Sequence, residues 1–229
     1  MHHPDHDASP INPVPAVVWC LAALLAGPEL VFQVGVSGIA GGPEALGWRS
    51  EAAQTFGFFT AVFDLMRETG QWPLEQVWRF VTYPLVHQGF VHTAIAVVLL
   101  LAMGNFTARL FHPAAIVLVF VASAAMGALA FGLIVPGRAV LLGAYPAVYG
   151  LIGLYTWSLW VMADRMGKNP YGAFRLIGLL VGIQILFSLM SGYWQPLPAE
   201  VAGFATGFLL AAPAAPGGIA RLRRKLQDR

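Results

Sequence analysis

The sequence predicts an all-α membrane protein, a bundle of six transmembrane helices with a long, partly interfacial first loop. The first reason is composition: 58% of the 229 residues are hydrophobic and 10% are charged, whereas a soluble domain is about 25% charged. A soluble chain with so few charges could not cover its own surface. The second reason is that apolar runs of about 20 residues, the length that crosses a bilayer, recur along the chain. The third is that proline and glycine, which favour turns, fall in the short gaps between these runs.

The apolar runs place six spans between two tails. The spans are expected at residues 14–34, 90–111, 114–135, 141–163, 172–192 and 198–215. The first loop covers residues 35–88 and separates the first two spans. The membrane domain is therefore predicted to cover residues 14–215, with a polar tail at 1–13 and a basic tail at 216–229.

The distribution of basic residues predicts that both tails are cytoplasmic. With the N-terminus inside, the cytoplasmic set is Arg109, Arg165, Lys168, Arg175, Arg221, Arg223, Arg224, Lys225 and Arg229, and the outer set is Arg49, Arg67, Arg79 and Arg138. This excess of basic residues on the inner side is what the positive-inside rule requires. The cluster at 221–225 is expected to sit at anionic lipid headgroups. Nucleic-acid binding is not expected of so short a cluster on a membrane protein.

The cysteine and the N-terminal histidines are interpreted without a catalytic or metal-binding role. Cys20 is the one cysteine of the chain, which excludes a disulfide framework, and it is expected to pack inside the first span. His2, His3 and His6 are interpreted as part of a solvated tail, with weak metal binding as the alternative, and no metal site or cofactor is predicted. A composition rich in alanine and glycine, without organelle signals, favours a bacterial inner membrane.

The first loop contains an apolar segment at residues 56–66 that is too short to span a bilayer and too apolar to remain in water. One interpretation is a helix half sunk in the outer leaflet. The other is a re-entrant piece packed against the bundle. The residues of this segment leave both interpretations open.

Small residues predict a close crossing of the fourth and sixth spans. The fourth span carries Gly143, Ala144, Ala147, Gly150 and Gly153, and the sixth carries Gly203 and Gly207 as a GxxxG pair. In lipid, such residues let helix backbones approach closely and tighten their packing. Close packing alone would explain them, and it is compatible with a site at the same crossing.

Two histidines lie where the second span begins. His87 and His92 follow the pair Trp78 and Arg79 at the end of the first loop. An ionisable side chain at the edge of a span is costly unless it has a polar partner, so it is a functional-site hypothesis by default.

Four motifs, in order along the chain, carry a resemblance to a known family. They are Trp78 and Arg79, the pair His87 and His92, the segment Gly-Ala-Tyr-Pro-Ala-Val-Tyr-Gly-Leu-Ile-Gly at 143–153, and the segment Ala-Glu-Val-Ala-Gly-Phe-Ala-Thr-Gly at 199–207. Over about residues 70 to 215 the chain resembles the rhomboid family of intramembrane serine proteases. The resemblance implies a six-span rhomboid-like bundle and favours the interfacial form of the first loop. Its site is expected to be framed by Trp78, Arg79, His87, Gly143, Tyr149, Gly150, Gly203 and Gly207.

The resemblance also implies where the catalytic groups of the family would lie, and three of them are replaced. Tyr145 stands at the position of the serine nucleophile, Glu200 at that of the histidine base, and Ala96 at that of an oxyanion-stabilising asparagine. His92 remains at the position of the histidine oxyanion donor. Tyr149 remains at the position where the family stacks a tyrosine on its base.

These replacements predict that the chain has lost serine protease activity. A phenol is bulkier and less nucleophilic than an activated serine, and Ser123 and Ser158 lie on other turns or another span. Removing a nucleophile and its base lowers kcat by a factor of about 10⁶ in subtilisin. Removing an oxyanion donor lowers it by about 10² to 10³.

Two hypotheses account for Glu200. Either its carboxyl group hydrogen-bonds Tyr145, with His92 nearby, in a network that bridges the second, fourth and sixth spans, or it extends to the aqueous edge near Pro196 and Pro198. Because an isolated carboxylate inside a membrane costs much free energy, the carboxyl group must either have a hydrogen-bonding partner or reach water.

The function predicted by the resemblance is that of a pseudoprotease in the lipid bilayer. Non-proteolytic relatives such as derlins and inactive rhomboids bind transmembrane segments of client proteins, and the expected gate lies between the second and fifth spans. One alternative is an active intramembrane serine-type endopeptidase that uses unusual residues. A second is a small transporter or channel that uses His87, His92 and Glu200 as a polar path, although no inverted repeat is visible.

Overall fold

The computed structural model describes residues 14–218 as a bundle of long helices with a folded loop on one end. The helices are α1 (Ala16–Val36), α2 (Trp48–Phe56), α3 (Thr60–Thr69), α4 (Leu74–Val77), α5 (Arg79–Thr82), α6 (Phe90–Thr107), α7 (Pro113–Ile134), α8 (Tyr145–Arg165), α9 (Arg175–Ser191) and α10 (Leu197–Ala214). Short 3-10 turns cover Gly42–Gly47, Tyr83–Leu85 and Pro170–Phe174. The predicted tail at 1–13, with His2, His3 and His6, and the basic cluster at 221–225 lie outside the described residues.

Six helices are long, and their positions agree with the six predicted spans to within a few residues. Within residues 14–218, five of them are apolar and long enough to cross a membrane: α1, α6, α7, α10, and α9 together with its preceding 3-10 turn. The exception is α8, whose 21 residues would extend about 31 Å at 1.5 Å per residue. Its sequence is less apolar because α8 lies inside the bundle and faces protein more than lipid. The all-α class is confirmed. Five of the six long helices, rather than all six, are apolar enough to be recognised as membrane spans by composition, because α8 is central.

The centre of the bundle is the contact between α8 and α10. α8 also packs against α6 and α7, and its residues 146–154 are all buried. A Cβ atom added to Gly207 would collide with the Gly150 backbone, and one added to Gly203 would collide with the Pro146 backbone. The close crossing of the fourth and sixth predicted spans is therefore confirmed, and glycine is required where the two backbones touch.

The apolar part of the first loop packs against the bundle. Phe58 and Phe63 are each 1% exposed, and the Phe63 ring lies against Gly132 of α7. Phe58 belongs to a two-residue strand, β1 (Phe58–Phe59), which pairs antiparallel with β2 (Val140–Leu141). Leu65, on the opposite face of α3, is 59% exposed. Packing against the bundle thus holds for the two phenylalanines, while the other face of α3 remains available to the membrane interface.

An ion pair joins α1 to the first loop. Arg49 donates to both carboxylate oxygens of Glu29, at 2.7 and 2.8 Å, and to the backbone carbonyl of His87 at 3.0 Å. Gln33 and the Thr93 hydroxyl also donate to the Glu29 carboxylate. Because every oxygen of this buried carboxylate is bonded, the network ties α1, the loop and the start of α6 together.

The prediction for Cys20 is wrong. The thiol is exposed, because Cys20 lies on the face of α1 that carries the exposed Trp19. Val18, Leu21 and Leu25 form the face of α1 that packs into the bundle.

The glycine contact predicts a position-specific loss of stability. Gly207→Ala places a methyl group against the Gly150 backbone, so we expect it to lower the free energy of unfolding by about 1–3 kcal/mol, the usual cost of overpacking. The matched control is Gly182→Ala on α9, where an added Cβ meets nothing within 4 Å. Both variants should be unfolded by sodium dodecyl sulfate titration in mixed micelles. Equal stability of the two variants would contradict the role assigned to Gly207.

Candidate functional site

A cavity of about 340 Å³ opens at the end of the bundle where α6, α8 and α10 begin and α9 ends. It is lined by Gln88, His92, Phe131, Val140, Leu141, Leu142, Tyr145, Pro146, Gln184, Phe187, Ser188, Ser191, Tyr193, Pro196 and Glu200. The structure therefore brings together three of the four residues that the sequence analysis proposed for the catalytic positions, namely Tyr145, His92 and Glu200. Ala96, the fourth, is fully buried within the packing of α6 and is not part of this lining.

Tyr145 is held by the start of α6. Its hydroxyl donates a hydrogen bond to the backbone carbonyl of His92 at 3.3 Å, and its ring stacks on the His92 imidazole with centroids 4.7 Å apart. The phenol proton is thus directed to a carbonyl oxygen, which cannot act as a general base. This arrangement positions the tyrosine as a wall of the cavity.

Glu200 is buried rather than extended to an aqueous edge, since it is 4% exposed. Its polar neighbours are Gln184 and Tyr149, and the Tyr149 hydroxyl donates to Gln184 Oε1 at 3.4 Å. Oε2 of Glu200 has no hydrogen-bond partner among residues 14–218. The hypothesis of a Glu200 to Tyr145 hydrogen bond is therefore replaced by a contact with α9, because Tyr145 turns towards His92.

Sequence reasoning missed Gln184, Ser188 and Ser191 on α9. A glutamine in the middle of an apolar span was the available signal. The Ser188 hydroxyl donates to the carbonyl of Tyr193, and the Ser191 hydroxyl donates to that of Phe187. Both cavity serines thus bond to backbone carbonyls.

His92 and His87 have different surroundings, although the sequence presents them as a pair. His92 lines the cavity, and its Nδ1 accepts a hydrogen bond from the Gln88 backbone N–H at 3.4 Å. His87 is 1% exposed and lies behind it, with the two rings edge to face at 5.5 Å. The structure therefore places His92 in the cavity wall and His87 in the buried layer behind that wall.

His87 supports the turn that leads into α8. Its Nε2 accepts the backbone N–H of Ala144 at 3.2 Å. Gly143 has a φ of +91°, and a Cβ atom there would collide with the His92 ring. Burial, together with the neighbouring His92, lowers the pKa of His87 to about 4. Only the neutral imidazole has a free nitrogen lone pair that can accept the hydrogen bond from the Ala144 N–H.

The remaining predicted site residues frame the cavity from outside. Arg79 donates to the backbone carbonyls of Gln54 and Gly57, which joins α5 to the end of α2. Trp78 is 44% exposed. Gly150 packs on Ser123, whose hydroxyl is fully buried and not part of the lining. Arg79 thus holds the first loop, and Gly150 belongs to the crossing of α8 and α10.

The fold defines an integral, multi-pass membrane protein, and its open cavity holds a few polar side chains in a largely apolar wall. The Rhomboid domain family matches residues 74–216, which is more than half of the chain and includes every residue of the cavity lining. The chain belongs to the rhomboid family, and the resemblance stated for residues 70 to 215 is confirmed.

The buried His87 predicts a pH dependence of stability. The unfolded chain binds a proton at this residue below about pH 6.5, whereas the native state binds it only below about pH 4. The free energy of unfolding should therefore be highest above pH 6.5 and fall by about 3 kcal/mol as the pH is lowered to 4. His87→Gln keeps an acceptor for the Ala144 N–H but cannot titrate, so its stability should lose this component. An identical pH profile for the two proteins, measured by unfolding in mixed micelles, would refute the assignment.

Proposed function

We propose that this rhomboid-family protein is a pseudoprotease that binds transmembrane segments of client proteins in the lipid bilayer. We also propose that it resides in a bacterial inner membrane with both termini in the cytoplasm. The observation that carries the loss of proteolysis is the placement of Tyr145. Its hydroxyl faces a backbone carbonyl, and a nucleophile must instead face a base.

The rest of the cavity supports the same interpretation. The position of the base holds Glu200, whose neighbours are Gln184 and Tyr149 rather than Tyr145. The position of the oxyanion asparagine holds Ala96, which has no donor and is fully buried. The cavity serines on α9 donate to carbonyls. Serine-type acyl transfer requires a nucleophile set against a base, with oxyanion donors around the same point, and here the Tyr145 hydroxyl is bonded to the His92 carbonyl and not to Glu200.

The loose packing of α9 supports client binding. Ile177 is the one α9 residue that is buried in the described part of the chain, and α9 packs mainly against the 3-10 turn that precedes it. α9 nevertheless supplies Gln184, Phe187, Ser188 and Ser191 to the cavity wall. In membranes, helices associate through packing and interhelical hydrogen bonds. A client helix that approached between α6 and α9, the second and fifth predicted spans, would meet both at this wall.

The first test is proteolysis. The purified protein and the triple variant Tyr145→Ser, Glu200→His, Ala96→Asn should be incubated with a panel of fluorogenic membrane-span substrates. We expect no cleavage by the natural chain, because removing a nucleophile and a base together costs a factor of about 10⁶. Gain of activity in the variant would show that the scaffold is intact. Cleavage by the natural chain that disappears in Tyr145→Phe would instead identify an enzyme with a tyrosine nucleophile.

The second test is binding. A photo-crosslinking amino acid at Phe187, on the cavity rim and 64% exposed, should capture membrane-span peptides reconstituted in the same lipid nanodiscs. The matched control carries the crosslinker at Leu209 of α10, which is 72% exposed but not on the cavity wall. Capture at Phe187 well above that at Leu209 is expected. Equal capture at both sites would mean random collision in the bilayer, and solute flux in vesicles would then favour the transporter.

A further inference from the structure

One oxygen of the Glu200 carboxyl group lacks a hydrogen-bond partner in the described part of the chain. Glu200 is 4% exposed, lines the cavity, and has an Oε2 atom with no hydrogen-bond partner in the described range 14–218. Buried polar groups of native proteins are almost always hydrogen-bonded, and buried charges are almost always paired. A carboxyl group without a full set of partners at the wall of an open cavity is therefore suited to a ligand from outside the chain.

Arg49 and Arg79, two basic side chains of the first loop, are not partners of the Glu200 carboxyl group. Arg49 is engaged with Glu29 and the His87 carbonyl, and Arg79 is engaged with two loop carbonyls. The ion pairs among residues 14–218 are Arg49 with Glu29 and Arg67 with Asp64. Glu200 is thus left without a counter-charge in this part of the chain.

The neighbouring amide also favours a donor as the ligand. Tyr149 donates to Gln184 Oε1, which leaves the amide nitrogen of Gln184 available on the side of Glu200. The Gln184 amide nitrogen can therefore donate to one oxygen of the carboxyl group, while Oε2 has no partner among residues 14–218. An ammonium or guanidinium group supplies donors only, and it compensates the charge of the carboxylate at the same time.

The surroundings of Glu200 select a basic side chain carried by a membrane segment. The cavity wall is largely apolar and aromatic, with Phe131, Leu141 and Tyr145. The long stem of lysine or arginine packs on such surface while the charged group reaches a polar partner. Glu200 is the fourth residue of α10, about 4.5 Å along the axis from the first. A matching basic residue would therefore lie about one turn inside the end of a client span.

We propose that the Glu200 cavity recognises a lysine or arginine side chain about one turn inside the end of a client transmembrane segment, with Glu200 as the counter-charge. This inference rests on the proposed client-binding function and adds to it the class of client. A basic residue in a span is expensive in lipid alone. Pairing with Glu200 would offset part of that cost for both partners, which gives the cavity a chemical criterion for its clients.

The test compares peptides that differ in one group. Two apolar peptides of about 20 residues carry either lysine or its uncharged isostere norleucine one turn from one end, and a third carries lysine at the centre. They compete for the full-length protein in nanodiscs, with the crosslinker at Phe187 as the readout. We expect the terminal-lysine peptide to be captured about tenfold or more in preference to the other two, since close charge pairs at interfaces couple strongly.

Variants of the protein assign that preference to Glu200. Glu200→Gln should abolish it while still capturing the norleucine peptide, which shows that the variant is folded. Glu200→Lys should invert it in favour of a peptide with glutamate at the same position. Glu75→Gln removes an exposed carboxylate of the first loop and should leave the preference intact.

The outcomes separate this inference from the function on which it rests. Equal capture of the lysine and norleucine peptides at Phe187 would overturn the role of Glu200 and leave client binding standing. A lysine preference that persists in Glu200→Gln would also overturn it. Failure of all peptides to crosslink above the Leu209 control would overturn client binding itself.

Discussion

The contact between the backbones of α8 and α10 is the constraint on which the rest of the structure depends. Hydrocarbon gives helices no hydrophobic reason to associate, so packing must hold them together, and it is tightest where glycine lets backbones touch. Gly150 meets Gly207, and Gly203 meets Pro146. Tyr145 and Glu200 lie in the first turns of the two helices. The close crossing therefore brings both residues to one cavity, whatever side chains occupy those positions.

A second set of interactions holds the first loop against this crossing. The Glu29–Arg49 pair joins α1 to the loop, and Arg49 also donates a hydrogen bond to the His87 carbonyl. His87 in turn accepts the N–H of Ala144, directly before Tyr145. Breaking a buried ion pair by removing one partner costs about 3–5 kcal/mol. The pair thus supports the turn that presents Tyr145, through a path that runs from α1 to α8.

The proposed pseudoprotease function would make this cavity a case in which a fold is retained while its chemistry changes. Family membership rests on residues 74–216, and activity depends on a few side chains within them. Tyr145 bonds to a carbonyl, Ala96 offers no donor, and Glu200 keeps an oxygen without a partner in the described chain. These features support the proposed loss of acyl transfer, and they leave a cavity lined by one acidic side chain, Glu200, among the described residues.

The sequence by itself determined the membrane class, the helix positions, the close crossing and the family, because hydropathy, turn residues and motif spacing are local properties of the chain. Through the resemblance it also proposed Tyr145, Glu200, His92 and Ala96 as the positions of the catalytic groups. Tertiary structure alone decided the partner of each side chain: Tyr145 with the His92 carbonyl, Glu200 beside Gln184, and Glu29 with Arg49. It likewise decided that Cys20 faces outward and that α8, the least apolar long helix, is central. These outcomes depend on the rotation of each helix and on contacts between residues far apart in the chain, which no local pattern specifies.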